Sequence, residues 1–511
     1  MKRTKLSVTV LSLLLILSLI FLTSAAELQA EERVLRIRAQ GGADVNSVDP
    51  AHLYGSEDVN LDLAIFHKLL RFEKGSFELE NDAVEWIEFS DDYREIEFKL
   101  KEGIQFHHGY GEMTTEDVKF SFERIVDPET GSWYADDWQG LKEVEIIDRY
   151  QGRIIMEEPF AALLTSTIPW NPGSIISKEA YQDRGEEFET NPVGSGPYYW
   201  EEWTPGEKIV LKRFEDYIGE APDFDRIEIY SIGEIRVADM LFERGDLDET
   251  DIPFDSVAKY EDMDDVNLEV LTNLAYVWLG FNHSEPPFDD VLVREAVRSA
   301  VNVEEILQGV YDGVPEVART ILHPDILGYW EDAPEPEVDL EGARELLAEA
   351  GYPDGFDTTI YVDPTTEYQE MAVIVSAYLE QIGINAEVEI FSEGAGVDLL
   401  GVEAPPGMHI YGFSMTTDPN YWFYWFSEAQ IGSWNFLHWS NPEYEELMGE
   451  AVSVMDQEER AEKYVRMQEI MHEDVAAIWL THGSSPRVAR EHVKPSYVGQ
   501  FSQYMFFENL E

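Results

Sequence analysis

The chain has 511 residues, of which 44% are hydrophobic and 13% aromatic, and it contains no cysteine. This composition predicts a globular protein of two or more lobes and excludes disorder, disulfides and thiolate metal sites. Acidic residues number 103 against 36 Lys and Arg, a net charge of −67 that argues against a nucleic-acid partner. Because the acids are spread along the whole chain, they favour a halophilic protein that is hydrated in high salt, and a cationic partner is the alternative interpretation.

The N-terminus has the pattern of a secretory signal. Cationic residues at positions 2, 3 and 5 precede an apolar run over residues 6–22, and small residues at 24–26 fit a cleavage site. We therefore predict a signal peptide over residues 1–26 and a periplasmic mature protein without a lipid anchor, since no cysteine is available. An uncleaved membrane anchor is the alternative.

The elements that follow indicate a mixed α/β chain. Thr114 and Asp117 can start a helix as a capping box, and residues 191–198, NPVGSGPY, specify a tight corner before an alternating strand at 208–213. Asp339 can cap a helix that ends at Gly351. A strand at 358–362, a helix at 367–381 and a strand at 386–391 then predict a βαβ unit with parallel pairing.

The corner NPVGSGPY closely resembles the signature of the extracytoplasmic solute-binding proteins of family 5, the dipeptide, oligopeptide and nickel class that serves ABC importers. Other segments resemble the family in the same order, among them EFKLKEGIQFHHG at 97–109, LGFN at 279–282 and PPFDD at 286–290. The resemblance runs from about residue 35 to the C-terminus. About ten collinear matches make it far more specific than any single one.

This resemblance implies a two-lobe periplasmic-binding-protein fold with mixed sheets and a hinge of two crossing segments, near residues 277–282 and 478–482. Lobe I would comprise residues 27–276 and 480–511, and lobe II residues 277–479. The implied function is the binding component of an ABC importer, not an enzyme. It would act as a monomer without a cofactor, with a peptide or other small-molecule ligand and an inner-membrane permease as partners. A periplasmic hydrolase is the alternative, although the chain shows no recognisable catalytic set.

An aromatic run after Asp418 is the predicted ligand-binding segment. Six consecutive aromatic residues, 421–426, cannot all face one core, so some should face the cleft, and packing is the alternative for the rest. We expect at least two of Tyr421, Trp422, Trp425 and Trp434 to contact the ligand. The predicted ligand-binding residues are Met415, Thr416, Asp418, Tyr421, Trp422, Trp425, Trp434, Asn435 and Phe436.

Two departures from the family bear on the ligand. Dipeptide-binding relatives carry an acid three residues before the Asp-Pro pair, where this chain has Met415, and residues 361–368 contain no arginine for a terminal carboxylate. A longer peptide, an oligosaccharide or another polar solute therefore fits better than a free dipeptide. A metal complex is a separate alternative. His107 and His108 are adjacent and face opposite ways on an extended segment, so no metal site is predicted.

Overall fold

The structure is a computed structural model that describes residues 32–53, 56–261, 263–392, 394–499 and 505–507. The predicted signal peptide, residues 1–26, lies outside the described residues. Within them, no helix combines the length and the apolar character that a membrane crossing requires.

Strands and helices alternate along much of the chain. The strands are β1 (Val34–Arg38), β2 (Leu70–Phe72), β3 (Leu79–Asn81), β4 (Val84–Phe89), β5 (Glu95–Leu100), β6 (Leu141–Ile146), β7 (Gln151–Met156), β8 (Tyr198–Thr204), β9 (Lys208–Arg213), β10 (Arg226–Tyr230), β11 (Glu249–Asp251), β12 (Val266–Thr272), β13 (Ala275–Phe281), β14 (Phe356–Val362), β15 (Ile384–Ile390), β16 (Met408–Ser414), β17 (Ala477–Thr481), β18 (Ser484–Arg490), β19 (Ser496–Tyr497) and β20 (Met505–Phe506). The helices are α1 (Ser56–Ile65), α2 (Thr115–Val126), α3 (Lys178–Arg184), α4 (Ile235–Arg244), α5 (Val257–Tyr260), α6 (Val291–Ala300), α7 (Val303–Tyr311), α8 (Leu340–Glu349), α9 (Thr366–Glu380), α10 (Pro419–Tyr424), α11 (Pro442–Ala451) and α12 (Gln457–Glu473).

Two mixed sheets organise the molecule. The seven-stranded sheet has the order β12-β18-β11-β1-β10-β9-β8, with β1 parallel to β10 and β11 and the other neighbours antiparallel. The five-stranded sheet has the order β15-β14-β16-β13-β17, with β14 parallel to β15 and β16. An antiparallel sheet, β4-β5-β7-β6, and the pairs β2-β3 and β19-β20 complete the strand pairing among the described residues. The predicted mixed α/β class is confirmed.

The predicted helix caps and the predicted βαβ unit are also confirmed. Thr114 and Asp117 form both bonds of the capping box at α2, and Asp339 accepts from the N–H groups of Glu341 and Gly342 at the start of α8. The predicted βαβ unit is present, because β14 and β15 pair in parallel on either side of α9. Local sequence is sufficient here because caps and alternation act over only a few residues.

Side chains on both faces of the five-stranded sheet are buried. Along β13, Leu279 and Phe281 pack with helices α6, α7 and α9 on one face, whereas Tyr276 and Trp278 pack with α10, α11 and α12 on the other. A strand with two covered faces alternates between two cores rather than between core and solvent. The aromatic face toward α10–α12 is the one that leads to the site described below.

The backbone of the NPVGSGPY corner packs so closely against the end of α1 that two of its positions must be glycine. The Gly196 N–H donates to the Ile65 carbonyl at 2.8 Å, at the end of α1. A Cβ on Gly194 would lie 1.9 Å from that same oxygen, and a Cβ on Gly196 would lie 2.5 Å from the Ala64 oxygen. The two glycines therefore let the corner seat on α1, where any side chain would collide with backbone.

The chain passes between the two large sheets twice. The passages are residues 273–274, between β12 and β13, and residues 482–483, between β17 and β18. The first passage thus precedes the segment 277–282 expected from the resemblance, most of which lies within β13. The lobe boundaries at 276/277 and 479/480 remain predictions.

Candidate functional site

The carboxyl ends of the parallel strands in both sheets lie beside the two passages. In the seven-stranded sheet, β1, β10 and β11 run in the same direction as β12, which ends at the first passage. In the five-stranded sheet, β14, β15 and β16 run opposite to β13, which begins there. The two carboxyl edges therefore flank the space between the lobes, and such edges are where α/β sheets bind ligands.

Four partly exposed rings form an aromatic surface on the five-stranded side of this space: Tyr411, Phe413, Trp425 and Trp434. The Phe413 centroid lies 5.6 Å from that of Tyr411, 6.1 Å from that of Trp425 and 5.9 Å from that of Trp434. The two indoles are 5.9 Å apart, and Trp434 is 38% exposed. Such a surface can stack on flat or apolar parts of a solute at little cost in side-chain entropy.

The predicted ligand-binding residues divide into buried and partly exposed groups. Met415, Asp418, Trp422, Asn435 and Phe436 are buried. The Trp422 indole donates to the Thr416 carbonyl at 2.8 Å, and the Asn435 amide donates to the carbonyls of Phe426, Ser427 and Trp439. These buried side chains hold the segment in shape, whereas Thr416, Tyr421, Trp425 and Trp434 keep some exposure.

Asp418 fixes the start of the aromatic run through a buried ion pair. Its carboxylate is fully buried and accepts two bonds from the Arg460 guanidinium of α12, each 2.9 Å long. It also accepts from the Asn420 N–H at 2.9 Å as the cap of α10. A bidentate pair with a helix cap is a rigid arrangement, so the rings that follow Asp418 are presented in a defined orientation.

The same segment contacts the other lobe. The Thr165 hydroxyl donates to Asp418, and the Trp170 indole donates to the Thr417 hydroxyl at 3.0 Å. We call this set of contacting residues the interlobe junction; it comprises Asp137, Thr165, Trp170, Thr417, Asp418 and Tyr421. These contacts tie the cleft segment to the seven-stranded lobe, as expected for a closed two-lobe arrangement.

A carboxyl group with a raised pKa lies within the interlobe junction. The Tyr421 hydroxyl donates to the Asp137 carboxylate at 2.9 Å. Burial raises the pKa of Asp137 to about 7, the negative charges of Asp136 and Asp418 act in the same direction, and the Tyr421 bond opposes them. This group therefore titrates close to neutral pH, at a contact between the lobes.

The described residues show no group of three or more His, Cys, Asp and Glu side chains that could hold a metal ion. The histidine at 107 is structural, because its Nε2 donates to the Gly196 carbonyl at 3.0 Å, and burial lowers its pKa to about 3. Its contact is with the NPVGSGPY corner, away from the aromatic surface.

The sequence interpretation missed Phe413 of the aromatic surface and four residues of the interlobe junction, Asp137, Thr165, Trp170 and Thr417. It also missed three tyrosines of lobe II. Tyr311 ends α7, and its ring centroid lies 4.8 Å from that of Phe254 in the other lobe. Tyr368 lies in the first turn of α9, and Tyr411 lies on β16. Their common signal is a tyrosine on a helix or strand of lobe II, which is too frequent in sequences to identify a site.

Comparison with known proteins places this arrangement in a family. Residues 78–436 match the bacterial extracellular solute-binding proteins, family 5. The chain is 29% identical over 461 residues to heme-binding protein A of Haemophilus influenzae, covering 83% of each chain. It is 26% identical over 531 residues to the dipeptide-binding protein of Escherichia coli, covering 97% of each.

Solved structures agree with the sequence comparison. HbpA2 of Haemophilus parasuis superposes with a TM-score of 0.84 at 25% identity, over 94% of this chain and 99% of that one. The periplasmic binding protein DppA of Helicobacter pylori, in complex with the peptide STSA, gives a TM-score of 0.77 at 28% identity, over 93% and 98%. The fold is thus that of the two-lobe solute-binding proteins. This chain belongs to the extracellular solute-binding proteins of family 5.

Proposed function

We propose that the protein is the periplasmic binding component of an ABC importer, and that it captures a small polar or peptide-like solute between its lobes without converting it chemically. Family membership supports the binding role. The observation that carries the proposal is the aromatic surface of Tyr411, Phe413, Trp425 and Trp434, which is partly exposed and includes the carboxyl end of β16. Export through a cleaved signal peptide and action as a monomer are part of the same proposal.

Lobe closure explains how a permease can distinguish the ligand-bound protein from the ligand-free protein. The interlobe junction joins hydroxyl, indole and carboxyl groups from both lobes, so its bonds form only when the lobes approach. A ligand that contacts both lobes favours this closed form, and a permease can recognise it. Closure therefore couples binding in the cleft to the outer surface of the protein.

A thermal-shift and native mass spectrometry screen in molar salt tests the proposal, with peptides, oligosaccharides and nickel complexes as probes. A bound solute should raise the melting temperature in a concentration-dependent way. The double variant Trp425→Ala/Trp434→Ala should lose this response. Trp86→Ala, on the separate four-stranded sheet, is the matched control and should keep it.

Three results would contradict the proposal. One is chemical turnover of the bound solute, detected by mass spectrometry of the reaction mixture. The second is undiminished solute affinity in the double tryptophan variant. The third is the absence of any bound solute across the screen in folded protein.

A further inference from the structure

The outer edge of β17 is covered at one end and open at the other. β17 is the last strand of the five-stranded sheet and pairs with β13 on its inner side. On its outer side, Val317 forms a bridge to Thr481, and the Ala318 N–H donates to the Leu480 carbonyl at 3.1 Å. Among the described residues, no strand pairs with the outer side of residues 477–479. The sheet therefore has a short open edge here.

The register of the sheet shows which backbone groups point to this open edge. The Asn282 N–H donates to the carbonyl that precedes β16, at 3.0 Å. Successive residues of a strand point to opposite sides, so Leu279 turns toward β17, where it pairs with Ile478. The N–H and carbonyl groups of Ala477 and Trp479, which flank Ile478, therefore point away from β13 and outward.

These outward groups meet a cavity of about 500 Å³. It is enclosed by β17, α6, α12 and residues 318–339, a segment that we call the strap. Ala477 and Trp479 are buried, yet no residue in the described part of the chain bonds to their outward backbone groups. Buried backbone groups are nearly always paired in folded proteins. The cavity thus offers two donors and two acceptors to another molecule.

The walls of the cavity suit the side chains of an added strand. Such a strand directs its side chains alternately to the two faces of the sheet. On the side of α6 and α7 they would meet Val301 and Val303, and on the side of α12 they would meet Met471. Trp330 of the strap closes this second side, with its ring edge-on to His472 of α12 at a centroid distance of 5.7 Å.

The charges of the lining favour a cation over an anion. The two arginines of the lining are already paired, Arg298 with Glu295 and Arg319 with Glu335. Glu337 of the strap is exposed and has no ion-pair partner among the residues that the structure describes. A basic side chain at the mouth of the cavity would therefore be attracted, and an acidic one repelled.

We propose that this cavity is an accessory binding site for a short extended peptide with a basic side chain, which adds as a further strand to β17. Main-chain bonds to Ala477 and Trp479 hold the peptide, and the lining selects its side chains. Each strand residue spans about 3.3 Å, so the open edge matches a tripeptide. None of the four rings of the aromatic surface lines this cavity, so the site is additional to the proposed cleft function.

Isothermal titration in salt that keeps the protein folded tests the inference. The probe is N-acetyl-Ala-Lys-Ala amide, and N-acetyl-Ala-Glu-Ala amide is the anionic comparison. Both are titrated into the unmodified protein and into the Trp425→Ala/Trp434→Ala variant, whose aromatic surface is removed. We expect the lysine probe to bind this variant at one site, and more tightly than the glutamate probe.

N-methylated forms of the lysine probe test whether it binds as a strand. Only alternate residues of an added strand direct their N–H groups to β17. N-methylation at positions of one phase should weaken binding at least about tenfold, because it removes a donor and blocks the approach of the edge. N-methylation at the other phase should leave the affinity within about threefold.

Amide hydrogen exchange at single-residue resolution locates the bound probe. Without it, the N–H groups of Ala477 and Trp479 should exchange faster than that of Ile478, which points to β13. The lysine probe at ten times its Kd should slow the exchange of both about tenfold, since only the unbound fraction exchanges.

Two variants of the site complete the test. Trp330→Ala should weaken binding of the lysine probe about tenfold, as truncation of an aromatic contact does. Trp133→Ala is its control, because it also removes an indole in edge contact with a histidine, His52 of lobe I, and should have no effect. Ala477→Pro serves if Trp330→Ala lowers stability: it removes one outward N–H at a strand edge, where proline is tolerated, and should abolish binding.

Four results would overturn the inference. They are no binding of the lysine probe, equal effects of N-methylation at every position, and protection of the Ala477 and Trp479 amides without any probe. The fourth is binding that is lost in the Trp425→Ala/Trp434→Ala variant but kept in Trp330→Ala and Ala477→Pro. Each of them leaves the proposed cleft function standing, since its own test depends on Trp425 and Trp434.

Discussion

Replacing Arg460 by methionine should strongly destabilise the protein, because it leaves a carboxylate buried without its cation. The Arg460 side chain is 3% exposed and its partner Asp418 is fully buried. Without the guanidinium, Asp418 retains only the Thr165 hydroxyl and the Asn420 N–H as polar partners. Loss of one member of a buried pair costs about 3–5 kcal/mol of unfolding free energy.

Arg466→Met is a matched control on the same helix. Arg466 contacts three carboxylates, those of Glu443, Glu469 and Glu473, at 2.8–3.0 Å, but its side chain is 34% exposed. Exposed ion pairs contribute little, so this variant should lose less than about 1 kcal/mol. A count of salt bridges would predict the opposite order, and burial decides between the two expectations.

Urea denaturation at fixed molar salt, followed by tryptophan fluorescence and circular dichroism, measures both variants. The double variant Arg460→Met/Asp418→Asn should be more stable than Arg460→Met alone, because it removes the unpaired charge. Equal losses in the two single variants, or a larger loss in Arg466→Met, would refute the reasoning.

Three further predictions concern the backbone, pH and salt. Gly194→Ala should reduce the folded yield or lower the urea midpoint, because its Cβ would lie 1.9 Å from the Ile65 oxygen. Gly449→Ala is the control and should change neither, because a Cβ there meets no atom within 4 Å. Equal midpoints in the two variants would contradict this prediction. The pKa of Asp137 is raised to about 7 in the folded state, so its contribution to stability is present at pH 4 and is lost as the pH rises through 7. Asp137→Asn should therefore gain stability relative to the unmodified protein between pH 5 and 8, and parallel pH profiles of the urea midpoint would speak against it. Lowering the salt from molar to about 0.05 M should lower the melting temperature, because repulsion among charges that sum to −67 is then screened less; a melting temperature independent of salt would argue against a halophilic habitat.

Much of the fold could be predicted from the sequence because its determinants are local. The capping box at Thr114, the cap at Asp339 and the strand–helix–strand order around α9 each depend on residues within a few positions of one another. The hydrophobic alternation also identified β9 at Lys208–Arg213. The structure places the passages between the sheets a few residues away from the predicted segments, since no local signal marks where the chain leaves one sheet for the other.

The candidate site could be predicted only in part. The sequence indicated that the aromatic side chains of residues 421–426 must divide between core and cleft. The helix geometry of α10 determines which of them are buried. Trp422, Phe423 and Phe426 lie on the buried face of α10 and the turn after it, whereas Tyr421, Tyr424 and Trp425 lie on the other. One turn of helix brings residues three and four apart to the same side, so the division follows once the orientation of α10 is known.

The sequence by itself determined the family, the mixed α/β class and the aromatic segment of this protein, because turns, caps and alternation are written in neighbouring residues. Only the tertiary structure decided which rings remain exposed, that Asp418 pairs with Arg460, and that Tyr421 donates to Asp137 of the other lobe. These residues are separated by tens of positions along the chain and become neighbours only through sheet pairing and lobe contact. The physical reason is that packing and charge act through space, whereas sequence patterns report only what is close along the chain.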